Sequence, residues 1–167
     1  MDDPVLSRRS IRKYTAEPVG DEVVERLLRA AMAAPSAGNQ QPWRFVVLHD
    51  REVMRAITGF HPYARMLPSA PVAVLVCGDP TTVKWPQMWE QDCSAATENL
   101  LVEAELLGLG AVWLGVHPLN ERVEGIRALL GIPETVVPFA LVPIGHPAES
   151  KAPADRFDAA RVHHERW

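Results

Sequence analysis

Val72-Ala73-Val74-Leu75-Val76-Cys77, closed by Gly78-Asp79-Pro80, offers no polar side chain along its length. A strand with one solvated face alternates apolar and polar residues. A strand without that alternation is buried on both faces, which requires helices on both sides of its sheet. Repeated valine suits extended backbone, and the Gly-Asp-Pro cluster is turn chemistry. The stretch therefore predicts a sheet covered twice.

Upstream, Trp43-Arg44-Phe45-Val46-Val47-Leu48 reads as a second buried strand. Before it, Val24, Leu27, Leu28 and Ala31 fall at helical spacing from a start at Gly20-Asp21 to a stop at Pro35. After it, Asp50 is placed to cap a short helix carrying Val53 and Ile57. Downstream, a long helix is expected over about 87–107, with Ala96, Leu100, Ala104 and Leu107 as its apolar stripe and Gly108 as its stop. Residues 111–116 read as a third strand, and Asn120 as the cap of a helix carrying Val123, Ile126 and Leu130. Residues 136–144 read as a fourth strand, placed near an edge or irregular because of Pro138 and Pro143. The sum is a mixed α/β or α+β sheet domain.

With 167 residues the chain suits one domain, and its hydrophobic fraction of 47% excludes disorder. A net charge of −4 disfavours a dedicated nucleic-acid binder. Two cysteines, Cys77 and Cys93, make neither a disulfide framework nor a CxxC metal spacing and suggest a reducing, cytoplasmic setting. Arg8-Arg9 is followed by polar residues rather than the apolar stretch of an export signal. The longest apolar run, Ala70–Cys77, contains Pro71 and is too short to span a bilayer. These features predict a soluble protein.

Three clusters could carry chemistry. Arg8, Arg9, Ser10, Arg12 and Lys13 suit an anion, since arginine offers a bidentate fork, although a solvated basic segment has the same composition. Residues 34–43 form a proline-bracketed loop of small and amide side chains, able to hydrogen-bond the edge of a heterocycle or simply to make an ordered turn. Gly108-Leu109-Gly110 forms the turn into the third strand and Trp113-Leu114-Gly115 lies within that strand, without a dinucleotide GxGxxG fingerprint. His163-His164-Glu165 lacks any metal-ligand spacing, so no metal is expected. Asp92 and Glu98 on the long helix are ambiguous between an acid/base pair and a solvated face.

In their order and wording these clusters resemble the FMN-dependent nitroreductase family. The matching residues are Ser7-Arg8-Arg9-Ser10-Ile11-Arg12-Lys13-Tyr14, Pro35-Ser36-Ala37-Gly38-Asn39-Gln40-Gln41-Pro42-Trp43, Asn99-Leu100-Leu101, residues 108–115 and Gly145-His146-Pro147-Ala148-Glu149. The resemblance implies an α+β three-layer sandwich with a mainly antiparallel or mixed sheet, forming an intertwined homodimer with FMN at the subunit interface. Residues 1–145 would be the FMN-binding domain, and 146–167 an arm of the same domain exchanged onto the partner. It implies that Arg8, Arg9, Ser10 and Arg156 hold the FMN phosphate and that Arg12, with Arg65, faces the N1–C2=O edge. Pro35, Ser36, Ala37 and Asn39 would approach from the other subunit, and Trp113, Leu114 and Gly115 would line a ring face, with the Gly115 N–H near N5. The implied activity is oxidation of NADH or NADPH in a ping-pong cycle, with nitroaromatics or quinones as acceptors and no catalytic side chain. Some family members carry an acidic residue where Gly115 stands. Two alternatives are a reduced-flavin and oxygen enzyme of the same family that fragments or dehalogenates its substrate, and a flavin-binding dimer without turnover.

Overall fold

A computed structural model describes residues 3–152 and 154–167. Five strands and five helices follow one another as α1 (Pro4–Ser7), α2 (Asp21–Met32), β1 (Trp43–Leu48), α3 (Arg51–Ile57), β2 (Val72–Gly78), α4 (Trp89–Leu106), β3 (Gly110–Ala111), β4 (Leu114–Gly115), α5 (Asn120–Leu130) and β5 (Val137–Gly145). The sheet runs β1-β2-β5-β3, with β4 also on β5, and all of these pairs are antiparallel. A parallel bridge from Ser10 to Ala111 adds the N-terminal segment.

Every residue of β2 is buried. The period-2 alternation of a strand sorts them into two cores. Val72, Val74 and Val76 pack with Leu27 and Ala31 of α2 and with Cys93, Ala96, Leu100 and Ala104 of α4. Ala73, Leu75 and Cys77 face the other way, toward Met54 and Ile57 of α3 and Val123 and Ile126 of α5. The expected double covering is thus present as three layers. Burial pushes both thiols, Cys77 and Cys93, up to about 12, so neither is a thiolate near neutrality.

Local signals work as chemistry dictates. Asp50 accepts from the N–H groups of Glu52 (2.8 Å) and Val53 (3.3 Å) at the start of α3. At the end of α4, Leu109 N–H reaches the Ala104 carbonyl at 2.8 Å and Gly108 N–H the Glu105 carbonyl at 2.9 Å, a Schellman closure.

Three expectations need correction. The strand expected over 111–116 is two short pieces, because Leu114 pairs with Leu141 and Ala111 with Ile144, leaving Val112-Trp113 opposite Val142-Pro143. Strand β5 is not at an edge: it has β2 on one side and β3 with β4 on the other. Its prolines, which cannot donate to a ladder, are absorbed by a register shift opposite Cys77-Pro138 and by the gap between β3 and β4. Asn120 is not a cap but the first residue of α5; the carbonyl of Leu119 accepts from Arg122 and Val123 at 2.9 and 3.0 Å, so the helix is already under way.

The start and end of the chain lie together. Thr15 N–H donates to the His146 carbonyl and Ala148 N–H to the Lys13 carbonyl, both at 2.9 Å. Glu149 Oε1 accepts from the Arg12 N–H at 2.6 Å, which holds its carboxyl below the usual carboxylate range. From Lys151 onward every described residue is exposed, Phe157 and Trp167 included.

Because Leu75 is fully buried between two packed layers, Leu75→Ala should cost about 2–5 kcal/mol, read as a lowered urea midpoint with unchanged slope.

Candidate functional site

A cleft of about 600 Å³ gathers Arg12 from the N-terminal segment, His61, Tyr63 and Arg65 from the loop after α3, and Trp113, Leu114 and Gly115 from the β3–β4 region. Five residues of the expected site therefore meet in one place: Arg12, Arg65, Trp113, Leu114 and Gly115. Neither the Arg12 nor the Arg65 guanidinium has an ion pair or hydrogen bond among the described residues. Two free cations on one cleft make it a site for a planar or anionic group that carries negative charge at its edge. The Trp113 ring meets Phe139 edge to face at 5.7 Å, which fixes the wall it forms.

Gly115 is the floor. Leu114 pairs with Leu141, and the next donor to β5 is Val116, whose N–H reaches the Phe139 carbonyl at 3.1 Å. Alternation along an antiparallel strand then turns the N–H and C=O of Gly115 to the edge away from β5. The carbonyl accepts from Arg122 Nη1 at 2.7 Å and lies 3.0 Å from His61 Nε2. Since a carbonyl only accepts, His61 carries its proton on Nε2. The Gly115 N–H has no acceptor among the described residues, and a Cβ built on this glycine would meet nothing within 4 Å. Space and a donor are both available there.

His61 and Arg122 were not singled out by the sequence. His61 is buried, with Nδ1 unpartnered, and burial together with the Arg122 cation lowers its pKa below the ordinary 6.5. The Arg122 guanidinium also lies 5.4 Å from the ring of Tyr63, an exposed residue on the cleft wall.

A second groove, of about 400 Å³, brings Arg8, Arg9 and Arg156 together beside Asp155 and Phe157. Arg9 donates to the carbonyls of Leu6 (2.9 Å), Arg8 (2.7 Å) and Ala152 (3.0 Å), leaving Nη2 buried and without a partner among the described residues. Arg8 Nε lies 3.3 Å from Glu98 Oε1, an ion pair without hydrogen-bond alignment. Ser10 does not line this groove; its backbone bridges Ala111, and its carbonyl accepts from Lys151 Nζ.

The loop with Pro35, Ser36, Ala37 and Asn39 lines neither space. It is nevertheless tightly determined. Asp92, buried on α4, accepts from the Ala37 N–H at 2.9 Å and from Gln40 Nε2 at 2.7 Å. Gln40 also bonds both backbone groups of Trp85, and Ser36 Oγ accepts from the Gln41 N–H at 3.0 Å. Gly38, Asn39 and Gln41 all hold positive φ, at 52°, 56° and 51°. Gly38 is required twice over, since a Cβ there would stand 1.9 Å from the Trp85 ring. So Asp92 organises a loop and Glu98 pairs with Arg8, which answers the question of an acid/base pair: the two carboxylates serve different partners.

Two outcomes follow from this geometry. Asp92→Ala should cost about 2–3 kcal/mol and speed proteolysis between residues 35 and 41, because it strips two hydrogen bonds from a strained loop. His61 resists protonation in the fold but not when unfolded, so its stabilising share is complete above pH 6.5 and declines as pH falls below it. The urea midpoint should fall between about pH 7.5 and 5.5, and less steeply in His61→Gln.

Known proteins match this arrangement from end to end. A profile of the "Nitroreductase family" covers residues 5–70 and 60–146. A protein of Methanothermobacter thermautotrophicus, named as a candidate NADH dehydrogenase/NAD(P)H nitroreductase, is 49% identical over 165 residues, which is 99% of this chain and 86% of the relative. The crystal structure of a Clostridium acetobutylicum protein proposed as an NADH oxidase superposes with a TM-score of 0.95 at 47% identity, covering 99% of this chain and all (100%) of that one. An FMN-dependent nitroreductase of Clostridium difficile follows at a TM-score of 0.91 and 27% identity, with 100% of both chains covered. Matched over both halves by one profile and over its whole length by relatives, the chain belongs to the nitroreductase family.

Proposed function

We propose that the chain is an FMN-dependent NAD(P)H oxidoreductase working as a homodimer. The observation that carries this is the cleft in which two unpaired guanidiniums, an aromatic wall and an open strand edge with a free N–H converge. The residues present fit FMN. Arg9 Nη2 and Arg8 Nε, buried without hydrogen-bond partners, suit a phosphate, with Arg156 beside them and Ser10 on the same segment. From Arg8 to Arg12 the extended chain spans at most about 14 Å, a reach suited to a phosphate joined by a flexible chain to a ring.

When bound, FMN accepts a hydride from NADH or NADPH and passes electrons to a second substrate such as a nitroaromatic or quinone. The protein's part is binding and electrostatics. Arg12 and Arg65 stabilise negative charge gathering at the ring edge, because preoriented cations need no reorganisation as charge develops. Trp113 and Leu114, which line the cleft, would shield bound FMN from water, and the Gly115 N–H would be available to it as a hydrogen-bond donor. No side-chain acid or base is required.

Pro35, Ser36, Ala37 and Asn39, held rigidly yet away from the cleft, are suited to serve the site of a second copy. Residues 146–167, exposed at every described position from Lys151 onward with Phe157 and Trp167 uncovered, are suited to pack on that copy as an arm of the domain formed by residues 1–145. Among the described residues no helix is long and apolar enough to cross a membrane.

The test is spectral. The purified or reconstituted protein should take up one FMN per chain, and NADH or NADPH should bleach it without oxygen. Arg8→Ala combined with Arg156→Ala should raise the Kd for FMN about 10- to 100-fold, the worth of lost charge-assisted contacts. No uptake after reconstitution would reject the proposal, and a strictly monomeric protein holding FMN tightly would reject the shared site.

A further inference from the structure

The carbonyl of Gly115 is held unusually firmly for a group on the outer edge of a two-residue strand. Such a carbonyl ordinarily faces water or a neighbouring strand. Here two side chains from separate parts of the sequence converge on it, His61 Nε2 at 3.0 Å and Arg122 Nη1 at 2.7 Å. His61 is fully enclosed, in the loop that follows α3. Arg122 sits on the first turn of α5, half-buried, with Tyr63 against its guanidinium. Nothing in the proposed chemistry uses either side chain, and neither is needed to neutralise a charge, since the carbonyl is neutral. What the pair controls is orientation. Gly115 has no side chain to pack, and on this edge no strand partner restrains it. Its N–H and C=O leave the strand on the same side, so fixing one directs the other.

We propose that His61 and Arg122 are positioning residues that clamp the Gly115 carbonyl and thereby keep the Gly115 N–H directed into the cleft. The inference rests on the proposed FMN chemistry for its consequence, but the clamp itself is a property of the chain. It requires one tautomer of His61, with the proton on Nε2 and the buried Nδ1 bare. It also distinguishes the two side chains from packing residues: a clamp depends on a donor, and packing depends on volume.

The experiment uses the full-length chain with and without FMN, in His61→Leu and Arg122→Met, which keep bulk and lose the donor, and in His61→Gln and Arg122→Lys, which keep a donor. In the FMN-free protein, the backbone order parameter of the Gly115 amide should fall from the rigid range of about 0.85 to below about 0.6 in the first pair and stay near wild type in the second. With FMN bound, the first pair should keep its Kd within about threefold, since the phosphate-side arginines are intact. Their reduction by saturating NADH or NADPH should slow about 10- to 100-fold, with a shifted flavin midpoint potential, and the second pair should recover most of both. A wild-type order parameter, rate and potential in His61→Leu and Arg122→Met would overturn the clamp. So would equal damage in the donor-keeping variants, which would mark a packing role. Arg122→Met and Arg122→Lys, at a half-exposed position, carry the comparison should His61→Leu fail to fold. If the wild-type chain takes up no FMN, the functional reading fails while the order-parameter measurement still decides the clamp.

Discussion

Strand β2 has no face that can meet water, and the rest of the molecule is arranged around that constraint. Its valines at 72, 74 and 76 demand one apolar layer, and Ala73, Leu75 and Cys77 demand another. Two helices on each side meet the demand, and the hydrophobic effect on both faces holds the sheet between them. The consequence for the site is geometric. Helices α2 and α4 take one face and α3 and α5 the other, so the connections between them must emerge at the sheet's margins, where the cleft lies.

The margin is where rigid scaffold meets open backbone. Strand β4 is only two residues long, yet it is anchored to β5, the most heavily paired strand, and it presents an unpaired edge. Loops that carry function need such support, because binding geometry must survive thermal motion. The same division appears at residues 35–41. Three departures into positive φ within four residues are tolerated there because Asp92, Gln40 and Ser36 satisfy the loop's backbone from several directions. Strain of this sort persists only when the surroundings determine it.

Charge is distributed by the same logic. The acidic chain places its carboxylates on helix faces and against structural arginines, as Glu98 against Arg8 and Glu103 against Arg26. The guanidiniums of Arg12 and Arg65 are left without partners among the described residues. An unpaired cation at a cleft is a standing attraction for an anionic or electron-rich ligand, and it acts without any movement of the protein.

What the sequence determined by itself is local. Six residues from Trp43 to Leu48, the cap at Asp50 and the stop at Gly108 follow from periodicity and turn chemistry, which act over a few residues. The motif resemblance named Arg12, Trp113, Leu114 and Gly115 from segments with recognisable wording, and Arg65 from outside them; the fold lines one cleft with all five. Tertiary structure decided what depends on distant partners. Proline in β5 argued for an edge, but burial against β2 and a shifted register placed the strand at the centre. His61 is one histidine among six, and nothing in the sequence marks Arg122; their shared role exists only because folding brings both to the carbonyl of Gly115, one from 54 residues away and the other from 7. Propensity and pattern are written in neighbours along the chain, whereas a hydrogen bond between segments is written only in space.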